Sequence, residues 1–198
     1  MGSLLFLLCL WLATKRHKLL VLTRSFARYF ALARWLWIWG LFKHFLSFLQ
    51  MRVYLDNCCF NRPFDDQRQI RVFLETQAKL HIQEQIKNEK IELAVSFVSR
   101  YENSENPDDV SGGSIADFFQ RATIYVGAEN YDEIFAKAGE FMKANIKMKD
   151  ATHLACAIKA GCDYFLTTDD KLIKRYNEKE IIVCNPITFL QLAGDKYA

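Results

Sequence analysis

From residue 51 onward the sequence predicts an α/β domain: a central, mostly parallel sheet covered on both faces by helices, in three layers. Two observations predict it. Short apolar runs of strand length alternate with segments whose apolar residues recur at helical spacing, and strands joined by helical segments of ten or more residues pair in parallel through crossovers. A sheet of that kind is buried on both faces, and 51% hydrophobic with 25% charged residues in a chain of 198 supplies enough core for one such domain. Three prolines and eight glycines exclude collagenous, mucin-like and disordered classes.

Taken in order, Arg52–Leu55 is a short buried strand, and residues 57–67, which include Pro63, form a turn-rich break. Ile70, Phe73, Leu74, Ala78, Ile82 and Ile86 then mark an amphipathic helix. Ile91, Leu93, Val95 and Phe97 alternate as a strand does. Residues 103–114, with Pro107, Gly112 and Gly113, carry the longest loop signal, followed by a helix over 115–122 and a strand over 123–126. Ile134, Phe135, Ala138, Phe141 and Met142 mark a further helix, and 151–160 another, closed by Gly161. Tyr164–Leu166 and residues 181–184 suit buried strands, with a short helix over 171–176 between them. No internal repeat or low-complexity tract interrupts 51–198, which reads as one domain.

Residues 1–50 obey different rules. They hold 7 of the 26 Lys+Arg, none of the 23 Asp+Glu and all four tryptophans, so the net +3 belongs to them and residues 51–198 carry a balance of −4. A bilayer span needs about 20 apolar residues, and the runs here are cut short by Lys15, Arg16 and Lys18 and again by Arg34. Charge follows the first apolar run rather than preceding it, which does not suit a secretory signal. The segment reads as a basic, aromatic membrane-surface anchor, as a regulatory arm, or as upstream sequence read in frame before a functional start at Met51; the absence of acids and the orderly strand beginning at Met51 favour the last. Membrane contact is expected only of an anchor. Six cysteines are too sparse for a disulfide framework, so a reducing, cytoplasmic setting is expected.

In parallel sheets ligands bind beyond the carboxyl ends of the strands. There the sequence places Asp56 after the first strand, Glu102 after the second, and Asp169 with Asp170 after the Tyr164–Leu166 strand, while Asp150 opens the helix over 151–160. Singly, Asp56 is explained as a turn residue, and Asp150 and Asp169 as helix N-caps. Together they would repel one another without a counter-charge, which a hard divalent cation supplies; carboxylate oxygens suit Mg²⁺ or Mn²⁺, and such a centre is the arrangement used for in-line phosphodiester cleavage.

The segments YLDNCCFNRP, SRYENSENP, MKDATHLACAIKAGCDYFLTTDDKLIKR and IIVCNP resemble the PIN-domain family, especially the toxin nucleases of bacterial toxin–antitoxin pairs, over residues 51 to about 190. The resemblance implies metal-dependent RNA hydrolysis with Asp56, Glu102, Asp150 and Asp169 holding Mg²⁺ or Mn²⁺ and one carboxylate orienting water. It also implies a homodimer and a neutralising antitoxin protein. Glu105 competes with Glu102 and Asp170 with Asp169, and Asn57 and Thr168 are accessory candidates. Many relatives carry a hydroxyl residue just after the first aspartate, where Asn57, Cys58 and Cys59 stand here.

Other residues carry less. Adjacent thiols at Cys58 and Cys59 lack a second pair at zinc spacing and read as small buried residues. His153 reads as a polar rim residue, or as a group that touches substrate or moves a proton. Thr167 and Thr168 either bond a carboxylate or phosphate or serve in turns and caps. Gly112 and Gly113 lack the following Lys-Ser or Lys-Thr of a phosphate loop. The −4 balance is not that of a basic RNA-binding surface, which leaves Lys171, Lys174 and Arg175 as a local patch. The expected function is therefore an RNA endonuclease, with a non-catalytic PIN-like interaction module as the alternative.

Overall fold

The computed structural model describes residues 50–197, and the readings made of residues 1–49 lie outside the described residues. The order of elements is β1 (Arg52–Leu55), α1 (Asn57–Asn61), a 3-10 turn (Arg62–Phe64), α2 (Ile70–Lys87), β2 (Glu92–Ser96), α3 (Phe97–Ser104), α4 (Asp109–Phe119) and β3 (Ile124–Val126). A second 3-10 turn (Ala128–Asn130) leads to α5 (Tyr131–Lys143), α6 (Met148–Lys159), β4 (Tyr164–Leu166), α7 (Asp170–Arg175), β5 (Ile182–Cys184) and α8 (Pro186–Tyr197). None of the described helices is long and apolar enough to cross a membrane.

The five strands form one sheet in the order β3-β2-β1-β4-β5, every pair parallel. β1 is central: Val53 lies beside Leu93 of β2 and beside Tyr164 of β4. Alternation of side chains along the strands then sorts the core into two layers. Tyr54, Ala94 and Phe165 face Ile134, Ala138 and Phe141 of α5 and Leu154 and Ala155 of α6. Val53, Leu55, Leu93, Val95 and Leu166 face Ile82 and Ile86 of α2, Ile115, Phe118 and Phe119 of α4, and Phe189 and Ala193 of α8. The three-layer α/β architecture is thus realised, each fully buried Leu, Ile or Phe contributing about 1.5–3 kcal/mol of burial.

Several local expectations give way to tertiary contacts. Residues 57–61 are helical because the Asp56 carbonyl accepts from the amides of Cys59 (2.9 Å) and Phe60 (3.3 Å) directly after the strand. Residues 103–114 are not a long loop: α3 runs to Ser104, and Asp108 caps α4 by accepting from the amides of Val110 and Ser111, which carries Gly112 and Gly113 into the helix. β2 is buried at every position and does not alternate, since Glu92 pairs with Arg52 at 2.8 Å and Phe97 already opens α3. In α2 the apolar stripe faces the wrong way in its first half. Ile70, Phe73 and Leu74 are exposed, while Glu75 is buried between Arg62 (2.7 Å) and Arg71 (2.8 Å), and the Lys79 ammonium lies 5.7 Å from the Phe60 ring centroid. α6 begins at Met148 rather than 151, and α8 has no counterpart among the sequence-predicted elements.

Gly161 ends α6 in the left-handed region at φ +65°, with the Arg52 guanidinium 3.3 Å from where a Cβ would stand. Gly139, within α5, has nothing within 4 Å of that position. Opposite effects are expected on urea unfolding: Gly161→Ala destabilises by about 1–2 kcal/mol, whereas Gly139→Ala stabilises by up to about 1 kcal/mol.

Candidate metal centre

The strand order changes direction between β1 and β4, and the crevice beyond that point is where a parallel sheet places its ligand site. Asp56 sits there. Its amide donates to Leu166 O at 2.9 Å, so the end of β1 is locked to the end of β4. Because its carbonyl, not its carboxylate, closes the first turn of α1, the side chain remains available to the site. Asp56 Oδ2 accepts from the Thr167 hydroxyl at 2.8 Å and from the Cys58 thiol at 3.1 Å. Thr167 Oγ1 also accepts from the amide of Asp169 at 3.1 Å, and Cys58 Sγ from that of Thr168 at 3.3 Å. Cys58 is therefore not merely a small buried residue: its thiol donates a hydrogen bond to the Asp56 carboxylate. Thr167 combines both roles open to it, holding a carboxylate and shaping the turn.

Glu102 does not lie at the strand end. β2 stops at Ser96, whose Oγ accepts from the Ser99 amide to cap α3, and Glu102 comes from the second turn of that helix. Its Oε1 is 2.6 Å from Lys149 Nζ and its Oε2 is 3.1 Å from His153 Nε2. His153 is 1% exposed and so is no rim residue. Burial pushes its pKa down, as does Lys149, against the opposing pull of Asp56 and Asp150. The neutral ring meets the Tyr54 hydroxyl at Nδ1 (2.7 Å), with Nε2 on the side of the carboxylate. Tyr54 in turn meets Ser96 Oγ at 2.6 Å and Ser99 Oγ at 2.7 Å. Sequence reasoning misses this buried chain because Tyr54 reads only as a strand core residue, and misses Lys149 because it neighbours Asp150 in sequence but faces Glu102. The parity of Tyr54 in β1 and the three-residue step from Asp150 to His153 are the available signals.

Ligand atoms of Asp56, Glu102 and His153 all lie within 4.8 Å of one another. Asp150 and Asp169 stand outside that group, yet close enough to act on each other: burial, then the charges of Asp56 and Asp169, raise the Asp150 pKa. Asp150 lies in the first turn of α6 but is not its N-cap, which is Lys147. Asp169 does cap α7, through Oδ1 to the amides of Lys171 (2.7 Å) and Leu172 (3.4 Å). Of the accessory candidates, Asp170 points away into a two-bond pair with Arg71 (2.6 and 2.7 Å), and Glu105 is exposed at the end of α3. Asn57 donates to Ser99 O at 3.3 Å, and Thr168 is 9% exposed beside Cys58. An oxygen-rich donor set in which Lys147 and His153 offset only part of the repulsion at Asp150 fits a hard divalent cation, and one imidazole nitrogen is compatible with Mn²⁺.

No family model matches the chain, and no curated protein matches it.

Two outcomes are expected from these contacts. An acid whose pKa is raised on folding binds its proton more tightly when folded, so stability falls as pH rises from the ordinary aspartate range toward the raised value, and the penalty persists at neutral pH. Asp150→Asn is expected to raise the melting temperature at pH 7 in metal-free buffer, a gain that disappears below about pH 4. Tyr54→Phe leaves His153, Ser96 and Ser99 short of a buried partner and is expected to cost about 1–3 kcal/mol in chemical denaturation.

Proposed function

We propose that this chain is a metal-dependent endoribonuclease of the PIN type, the toxin of a toxin–antitoxin pair. The observation that carries the reading is Asp150, a half-buried carboxylate in the sheet crevice whose principal charged neighbours are two further carboxylates, Asp56 and Asp169. Structural duty accounts for Asp169 as a helix cap and for Asp150 only as an acid in the first turn of α6, and neither duty calls for the two to stand near Asp56. In this reading Asp56, Asp150 and Asp169 hold Mg²⁺ or Mn²⁺ together with Glu102. When bound, the ion supplies positive charge against a phosphodiester and lowers the pKa of water.

The chain's own residues divide the remaining work. Thr167 and Cys58 hold the Asp56 carboxylate in one orientation. His153, kept neutral by burial, positions Glu102 without adding a charge. Lys149, whose side chain is 66% exposed, is placed to pair with a substrate phosphate in exchange for Glu102. In this reading one carboxylate of the set orients the attacking water, whose oxygen bonds to phosphorus as the phosphorus–ribose oxygen bond breaks, the water's proton ending on the departing ribose oxygen. Lys171 and Lys174, both exposed, extend the contact to flanking phosphates. The described cysteines are all free thiols, in keeping with action in the cytoplasm. Exposed Ile70, Phe73 and Leu74 on α2 supply an apolar surface for the homodimer or the antitoxin that the reading includes.

One observation favours a non-catalytic interaction module instead: Lys149 and His153 between them pair both oxygens of the Glu102 carboxylate. The two readings separate experimentally. As a nuclease, the protein cleaves structured RNAs in Mg²⁺ or Mn²⁺, loses cleavage on chelation, and loses roughly 100-fold or more in Asp56→Asn. Free Mn²⁺ at about 100 times its Kd raises folding stability by about 2.7 kcal/mol. A flat Mn²⁺ melting titration with no cleavage favours the module.

A further inference from the structure

A cleft of about 650 Å³ opens beside the acidic centre, its floor and walls drawn from α1, α3, the segment after α3, and the first turns of α6. It shares Glu102 and Lys149 with the centre, and Asn57, the residue after Asp56, reaches into it. Its walls are mixed. Tyr101, 66% exposed, and Met148, 54% exposed, face it with Val98 and Pro107, so two large apolar side chains are held open to solvent at the edge of a charged site. Asn57 donates through Nδ2 to Ser99 O at 3.3 Å, which fixes the orientation of its amide at the cleft wall.

We propose that this cleft receives one nucleobase of single-stranded RNA, next to the phosphate to be cleaved, with the Tyr101 ring as its stacking surface. The inference rests on the nuclease reading and adds to it the part of the substrate that enters beside the centre. Charge decides which part that is. Glu105 borders the cleft and disfavours a phosphate in its interior, whereas the Lys149 ammonium, paired with Glu102, stands where the cleft meets the acidic centre, where the phosphate belongs. An uncharged, flat, hydrogen-bonding group fits between them. The volume lies within the range of pockets that enclose small ligands, and stacking on an aromatic ring accepts any of the four bases.

The test is calorimetric titration of the full-length protein, in Mg²⁺, with the four nucleoside 5′-monophosphates and with ribose 5-phosphate, which keeps the charge but lacks the base. The monophosphates are expected to bind about tenfold or more tightly than ribose 5-phosphate, with the difference lost in Tyr101→Ala and kept in Tyr101→Phe. Tyr101 is exposed, so neither variant disturbs the core. Equal binding of base-bearing and base-free ligands, no nucleotide binding, or discrimination that survives in Tyr101→Ala overturns the proposal, as does capture of a peptide competitor in the cleft without nucleotide binding. RNA cleavage by the same preparation is read separately. Cleavage without base discrimination removes the base pocket and leaves the nuclease; base discrimination without cleavage removes the nuclease and leaves a nucleotide site.

Discussion

The bond between the Thr167 hydroxyl and Asp56 Oδ2 closes the junction on which the candidate site depends. An all-parallel sheet delivers every strand end to one edge, and at the centre of that edge β1 and β4 stop side by side, joined by the Asp56 amide on Leu166 O. Backbone and side chain of one aspartate are thus both fixed by the neighbouring strand. The helices that leave these two strands, α1 after Asp56 and α7 after Asp169, depart from a rigid base. The placement of Asp56 is consequently a property of the sheet, whereas Glu102 and Asp150 are carried by α3 and α6.

A second constraint is electrostatic. Carboxylates converging on one crevice must be neutralised, hydrogen-bonded or left in mutual repulsion, and the three solutions are all present. Glu102 is neutralised by Lys149 and steadied by His153. Asp56 and Asp169 are hydrogen-bonded. Asp150 keeps a net repulsion that Lys147 and His153 offset only in part, a condition that a cation would relieve. The buried chain from Ser96 and Ser99 through Tyr54 to His153 belongs to the same solution, since it holds an uncharged imidazole beneath an anionic group in a region too dry for a free charge.

Legibility of the sequence varies with how local the cause is. Runs such as Arg52–Leu55 and Tyr164–Leu166 need burial on both faces, so their composition alone marks them as central strands. Residues 103–114 mislead because Pro107, Gly112 and Gly113 signal a loop, while the decisive feature is a single Asp108 cap that allows α4 to begin earlier. In α2 the apolar residues announce a helix correctly but not which side is buried: Arg62 and Arg71 draw Glu75 inward, and Ile70, Phe73 and Leu74 are left outside.

By itself the sequence determined the fold class and the positions of acids near strand ends, because hydrophobic periodicity and strand length are written in consecutive residues. It also determined Asp56 and Asp169 as the acids just beyond β1 and β4. Only the tertiary structure decided which carboxylates meet. Glu102 was separated from Glu105 by its place on α3 facing His153, Asp170 was withdrawn by Arg71, and Tyr54, Lys149 and His153 were joined to the site. Those choices depend on contacts between residues tens of positions apart, and a helix turned by one residue would reverse them, so no local pattern could encode them.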